Sequence, residues 1–449
     1  MTDLAVEFAE RACRTTYADL PGATVEATKA FIVDTVGAAI AGSSAAGIEA
    51  GLAYTREAGG AEQASVLVFG GCFPAPAAAL LNGAMAQARD FDAVVYEPGV
   101  LLPYGPIFAA ALAAAERAGA SGKELIAAVV LGTDLTCRLG RAVVSGLGWS
   151  RTATLGVFGA ALAAAKLFNL AEERTVHALA LALSQSSGNI QTVIDGTLAK
   201  RYQGGFSAAA GVRAAMLAER GVTGPTNVFE GRCGYVALYE SGRYRRELAL
   251  EALRGRYEGT AASVKPYPCA REHHGAVAAA LALYADGVRA EHIEHVSVTL
   301  APNAFALNGK PWGGAKTVGN AISSAPYGVA VALSCGAVAM EDFEPPALER
   351  SRVNALAARI ELLEDRSVTD AKTLVPQSVS VTLRGGARRS RTVAALPGSP
   401  AMPLSAPELE AKFTACVRRS AKPMSAERLV SAMQRLEGCD DVRELRLYA

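Results

Sequence analysis

Between residue 5 and about residue 255 the chain spaces its apolar residues at helical intervals almost without interruption, and most of those residues are small. In the segment 24–40, Phe31, Ile32, Thr35, Val36, Ala39 and Ile40 recur along one helix face, and Gly42 stops the run. The same reading predicts helices over 75–88, 105–118, 122–144, 152–167, 173–184 and 207–220, the last ended by Gly221. Hydrophobic residues make up 51% of the chain but aromatic ones only 6%, so Ala, Val and Leu must fill the interior. Side chains that short let helix axes approach closely, and they also suit helical subunit interfaces.

After Tyr257 the period shortens. The segment 292–300 alternates like a half-buried strand, as do 359–363 and 378–383, and Gly385 and Gly386 turn the chain back into 390–394. Helices at 274–285 and 324–335 interleave with these strands, which describes a smaller α+β unit. Beyond the proline-rich stretch 397–407, a helical tail over 408–418 and 426–436 returns to the first pattern. A chain of 449 residues exceeds one ordinary core. The expected fold is mainly α: a large all-helical domain over 1–260 with 405–449, and a smaller α+β domain over 261–404.

Lys and Arg total 44 against 43 Asp and Glu, so the chain shows no electrostatic footprint for nucleic acid. The first residues mix acids and arginines where an export signal needs an apolar run. No segment reaches the roughly 20 apolar residues of a membrane helix. A cytoplasmic protein, with neither nucleic acid nor membrane as partner, is expected. The eight cysteines are scattered without a CxxC pair and read as reduced, mostly buried thiols. Phosphate loops, a strand-linked GxGxxG, HExxH, GxSxG and Cys/His metal spacing do not occur. What remains is acid/base work on an anionic small molecule, with no cofactor and no metal.

Five segments carry candidate chemistry. Lys200 stands in the glycine-punctuated run 196–211, read as a turn before a small-residue helix; a cation beside a helix N-terminus receives carboxylates. Asp90 and Asp92, two residues apart after an apolar helix, can orient a catalytic group or simply solvate the helix end. The segment 148–156 feeds Ser150, Arg151, Thr152 and Thr154 into a helix start, as an anion pocket or as plain N-caps. The segment 264–274 packs Lys265, Tyr267, Cys269, Arg271, Glu272, His273 and His274 together at the change of pattern, where a cleft between domains commonly holds a small molecule. Tyr327, opening a helix after Ser323 and Ser324, offers a hydroxyl that can move a proton or simply pack.

Taken in order, NGAMAQARDFDA, GWSRTATLGVFGAALAAAKLFNL, ALSQSSG, the Lys200 run, GVTGPTNVFEGRCGY, VKPYPCAREHH, SSAPYGVAVAL and PGSPAMPLSAPELEAKF form a set that resembles the MmgE/PrpD family nearly end to end. That family takes in 2-methylcitrate dehydratase, cis-aconitate decarboxylase and iminodisuccinate epimerase. The resemblance implies a large helical domain, a smaller α+β lid, a homodimer, no cofactor, and a small di- or tricarboxylate substrate. It also implies roles residue by residue. Asp90 matches the first acid of a DFDD run, and Lys200 the active-site lysine. Lys265 and His274 open and close the KxYP-type motif, and Tyr327 is the tyrosine of an SxxY helix.

The departures from the family pattern are equally specific. Gln87 stands where the family places a histidine before DFDD, and Ser150 takes the histidine place of GWHxT. Glu97, or Tyr96 with the gap placed otherwise, replaces the histidine of an HPxG-type turn. Glutamine and serine cannot take a proton as imidazole does near neutrality. The expected catalytic set is therefore His274, Tyr327, Lys200, Asp90 and Glu97, with Lys265, Gln87, Ser150, Arg151 and Tyr202 binding substrate. The function expected is a lyase moving a proton next to a carboxylate, on a substrate other than 2-methylcitrate. An isomerase or epimerase of a small carboxylate and a non-catalytic binding protein are the alternatives. Fewer imidazoles point to a substrate less charged than a tricarboxylate.

Overall fold

A computed structural model describes residues 2–96, 100–144, 148–253, 255–313, 316–370 and 373–448. It contains two compact units: Met1–Ile194, Leu198–Ala262 and Ala406–Ala449 form one, and Asp195–Thr197 with Ser263–Ser405 the other. The first is helical. Numbering helices of eight residues or more, it holds α1 (Leu4–Arg14), α2 (Gly22–Gly42), α3 (Ile48–Ala58), α4 (Ala75–Gln87), α5 (Tyr104–Ala118), α6 (Gly122–Ala142), α7 (Gly156–Leu167), α8 (Glu172–Leu183) and α9 (Ala199–Glu219). A two-stranded ribbon, β1 (Ala64–Ser65) with β2 (Cys72–Phe73), precedes α4.

The centre of this unit is a packed set of α4, α5, α7 and α9. All but three residues of α4 are buried, so the helix has no polar face and depends on its neighbours for stability. The α4–α9 contact is made backbone to backbone: a Cβ on Gly205 would stand 2.2 Å from the Leu80 carbonyl oxygen, and one on Gly83 2.9 Å from the Gly205 Cα. That approach corrects one expectation. Gly204 and Gly205 read as turn residues, and the helix was expected to start at 207. Instead α9 runs from Ala199, placing Lys200 in its first turn. The roughly 1 kcal/mol that each interior glycine costs a helix is offset by the packing it permits.

The expected helix over 152–167 is likewise two pieces, a short turn Arg151–Thr154 followed by α7. Of the eight free cysteines only Cys137, Cys269, Cys416 and Cys439 are buried; Cys13 is half-buried, and Cys72, Cys233 and Cys335 are exposed. The expected mostly buried set is thus only half buried.

The second unit builds a four-stranded sheet from β3 (Ile293–Leu300), β4 (Ile360–Glu364), β5 (Gln377–Leu383) and β6 (Arg388–Val393) in the order β4-β3-β5-β6. β3 pairs parallel with β4 and antiparallel with β5, and β5–β6 is the expected hairpin. α10 (His274–Ala285) packs across β5 and β6 and against α11 (Ala325–Cys335). Strand alternation follows that covering: Val296, Val298, Leu300, Val379 and Val381 are buried, while Ser297, Thr299, Ser378 and Ser380 keep partial exposure. Ser324 caps α11, its hydroxyl accepting from the Tyr327 N–H at 3.2 Å. The chain returns to the helical unit as α12 (Ala406–Arg418) and α13 (Ala426–Gln434). Among the described residues, no helix is long and apolar enough to cross a membrane.

Candidate functional site

In the helical unit the structure joins Lys200 to Asp90. The lysine ammonium, a third exposed, donates to Asp90 Oδ1, and the aspartate side chain is only 11% exposed. Asp90 has φ +52°, a left-handed conformation that costs a non-glycine residue of order 1–3 kcal/mol. Such strain persists only where the surroundings over-determine it. Here the Asp90 N–H donates to the Gln87 carbonyl at 3.3 Å. On its other side, Lys412 of α12 donates to the Phe91 carbonyl at 2.8 Å and lies 4.1 Å over the Phe91 ring. Lys412 is itself paired with Asp34 of α2 at 2.5 Å, both side chains at most 5% exposed.

The two acids that sequence reading grouped together are separated in role. Asp92 is fully buried, and a Cβ on Gly105 would stand 3.6 Å from its Oδ2. Its carboxylate therefore lies by the first turn of α5, where free N–H groups favour negative charge. Gln87 is also buried, and its Oε1 accepts from the Gly204 N–H at 3.0 Å, one helical turn beyond Lys200. The amide that replaces an expected imidazole thus ties α4 to α9.

The remaining expected residues of this unit diverge. Tyr202 turns away, its hydroxyl donating to the Gly47 carbonyl at 2.7 Å. Arg151 reaches Glu240 at 3.5 Å, both side chains largely buried. The Ser150 hydroxyl makes no cap hydrogen bond, and its N–H donates to the Gly188 carbonyl at 3.4 Å. Gln203 of α9 holds that same loop, accepting from the Asn189 N–H and donating to the Thr192 hydroxyl, each at 2.7 Å. Glu97 lies outside the described residues.

The α+β unit assembles the 264–274 segment against the 396–398 turn. Val264 N–H donates to the Gly398 carbonyl at 2.9 Å. Gly398 has φ +78°, and a Cβ there would stand 1.9 Å from the Val264 oxygen, so only glycine fits. Arg271 donates to the Pro397 carbonyl at 2.5 Å, and burial draws its pKa down to about 10, leaving it charged at neutrality. Lys265 is buried within the same segment.

His274 is fully enclosed. A carbonyl only accepts and a guanidinium only donates. Nε2 therefore donates to the Cys269 oxygen at 3.1 Å, and Nδ1 accepts from Arg271 at 3.2 Å. Burial, followed by the positive charges of Arg271 and Lys265 and by His273, holds its pKa well below that of an ordinary imidazole. It is a neutral ring with both nitrogens engaged. Tyr327 is similarly committed: its hydroxyl donates to the Asp342 carbonyl at 2.7 Å, its ring lies 4.6 Å from that of Trp312, and burial pushes its pKa to about 12. His273, which sequence reading left without a role, has Nδ1 3.2 Å from Asn308, and a Cβ on Gly328 of α11 would stand 3.2 Å from its Nε2.

Sequence reasoning missed Lys412 and Asp34, because the Phe91 carbonyl that the lysine binds lies 321 residues before it and its ion-pair partner Asp34 farther still. Two cavities of about 460 and 170 Å³ lie elsewhere in the helical unit, lined by none of these residues. Among the described residues, no cluster of three or more His, Cys, Asp or Glu is placed to hold a metal ion.

Compared with known proteins, residues 6–247 match the MmgE/PrpD N-terminal domain, and residues 267–438 the MmgE/PrpD C-terminal domain. The chain is 26% identical over 452 aligned residues to the cis-aconitate decarboxylase-like protein oryM of Aspergillus oryzae, which covers 95% of this chain and 93% of that protein. Identity to the cis-aconitate decarboxylase of Homo sapiens is 23% over 434 residues, 93% of this chain and 88% of the human one. For the cis-aconitate decarboxylase of Aspergillus terreus it is 27% over 277 residues, 58% of this chain and 56% of that protein.

Proposed function

Because the chain belongs to the MmgE/PrpD family, we propose that it is a lyase removing CO₂ from a small unsaturated carboxylate, by proton delivery at the carbon that loses the carboxyl group. The observation that carries this reading is the Lys200–Asp90 pair on a strained, multiply anchored loop. Relatives named as cis-aconitate decarboxylases make cis-aconitate the first substrate to try.

The choice among eliminations follows from proton chemistry. Dehydration and epimerisation both begin by taking a proton from carbon, which needs a base. Gln87 and Ser150 occupy the places of two expected imidazoles, and neither is one. Decarboxylation needs the opposite. The C–C bond breaks, its electron pair stays on carbon as CO₂ leaves, and an acid then supplies one proton. A lysine ammonium can neutralise the departing region's charge and give that proton, with Asp90 fixing its direction and solvent reprotonating it. His274 and Tyr327, whose polar atoms are engaged, are assigned to holding their segment rather than carrying the proton. No cofactor enters this scheme.

The test is reaction in D₂O with cis-aconitate and a panel of less charged unsaturated and hydroxy acids. CO₂ release with one deuteron at the product carbon is expected for at least one acid, and is expected to fall more than 100-fold in Lys200→Ala. Carbon-bound exchange without CO₂ or water loss would replace the reading with an epimerase. Binding without exchange or release would replace it with a carboxylate-binding protein.

A further inference from the structure

Away from that site, a lysine and a cysteine line one cavity of the helical unit. Lys166 lies in the last turn of α7 and Cys13 in that of α1. The lysine Nζ stands 3.5 Å from the main-chain oxygen of Cys13 itself. Amine and sulfur are therefore separated by no more than one hydrogen bond and the span of a single cysteine. The thiol donates to the Leu170 carbonyl at 3.5 Å, with the Thr175 hydroxyl 3.9 Å away.

Both side chains line a cavity of about 170 Å³ completed by Ala12, Asn169, Ala171 and Glu172, among others. Asn169, Ala171 and Glu172 are exposed, so the cavity opens to solvent, while Cys13 and Lys166 are half-buried behind them. No carboxylate stands at ion-pair distance from Lys166 among the described residues. Burial draws its pKa below that of an ordinary lysine and outweighs the upward pull of Cys13, Asp19 and Glu124. A larger share of the amine is then neutral and nucleophilic at neutral pH.

We propose that Cys13 and Lys166 form an acyl-transfer site, which takes an acyl group from a thioester of the acyl-coenzyme A class and leaves it on Lys166 as an amide. In the first step the Cys13 thiolate attacks the thioester carbonyl carbon. A new C–S bond forms, the donor's C–S bond breaks, and the donor leaves as a thiol carrying the proton that Cys13 gave up. In the second, the Lys166 nitrogen lone pair attacks the same carbon. The C–N bond forms, the bond to Cys13 sulfur breaks, and the proton shed by nitrogen returns to that sulfur. Thioester and amine become amide and thiol, with no oxidant or reductant. The two nucleophiles share one cavity, so the second step is intramolecular and gains the rate advantage of held reactants. The product amide keeps one N–H, so the hydrogen bond to the Cys13 carbonyl can survive while the lysine charge is lost.

The experiment incubates the purified full chain with acetyl-coenzyme A at neutral pH, and follows Lys166 and the exposed Lys310 by site-resolved mass spectrometry. Lys166 is expected to be acetylated at least tenfold faster than Lys310. Cys13→Ala should bring Lys166 within threefold of Lys310 and leave Lys310 unchanged. Lys166→Arg should accumulate a hydroxylamine-labile acetyl group on Cys13. Reversible methylthio capping of thiols in the folded, unmutated protein should reproduce the Cys13→Ala result without relying on a variant's folding. Lys166 acetylation that is no faster than that of Lys310, or that survives loss or capping of the thiol, overturns the proposal.

Discussion

Lys412→Met removes one partner from an ion pair whose side chains are 5% and 2% exposed. It takes the ammonium away from the buried Asp34 carboxylate, and breaking a buried pair from one side costs about 3–5 kcal/mol. The hydrogen bond to the Phe91 carbonyl adds about 1 kcal/mol. For a large domain, at roughly 2–4 °C per kcal/mol, the melting temperature should drop on the order of 10 °C. Adding Asp34→Leu removes the carboxylate that Lys412 had paired, so the double variant should recover at least about 2 kcal/mol over the single one. Activity should not recover with it. The Phe91 carbonyl stays released, and the left-handed Asp90 beside it loses the anchor that offsets its strain. Denaturant unfolding of the four proteins in the cycle, together with CO₂ release, separates the two effects. A single variant that loses less than about 1 kcal/mol, or a double variant no more stable than the single one, would refute the buried-pair argument. Full activity in the double variant would refute the claim that Lys412 acts through Asp90.

Gly205→Ala should destabilise the helical unit by at least about 1–3 kcal/mol, because its Cβ would meet the Leu80 carbonyl at 2.2 Å; an unchanged melting curve would show that α4 and α9 can move apart freely. His274 gives a pH-dependent prediction. Its folded pKa is depressed, so the unfolded chain takes up the proton first as pH falls. Its contribution is complete above about pH 6.5 and is lost below it, by at most about 1.4 kcal/mol per pH unit. His274→Gln should flatten stability against pH in that window, and identical slopes in both proteins would contradict the assignment. Tyr327→Phe should cost about 1 kcal/mol through the lost bond to the Asp342 carbonyl, with CO₂ release kept within a few-fold; a loss approaching that of Lys200→Ala would make the hydroxyl a proton carrier after all.

The helices and strands were legible because burial imposes a period on the chain. Segments such as 24–40 and 378–383 carry that period whatever they pack against. The start of α9 was not, because Gly204 and Gly205 look like breakers until the Leu80 backbone is seen lying against them. Lys200 and Asp90 could be picked out as acid and base types in glycine-rich or acidic runs. Their pairing across 110 residues, however, is a fact of three dimensions. Glycine spacing could have hinted at the α4–α9 contact; Lys412 lies in the quoted run 397–413, but nothing local singles it out there.

By itself, then, the sequence determined which residue types were available and which faces had to be buried. An interior short of aromatics required close helices, and Gln87 and Ser150 stand where the family resemblance implies imidazoles. Tertiary structure decided which partners those groups take. His274 and Tyr327 carry the right chemistry in one dimension, yet in the fold their polar atoms are engaged by a guanidinium and backbone carbonyls. Lys200 keeps a third of its side chain exposed beside a carboxylate held in place by distant helices. The reason is that desolvation and hydrogen-bond partners set a group's reactivity, and both come from residues remote in sequence.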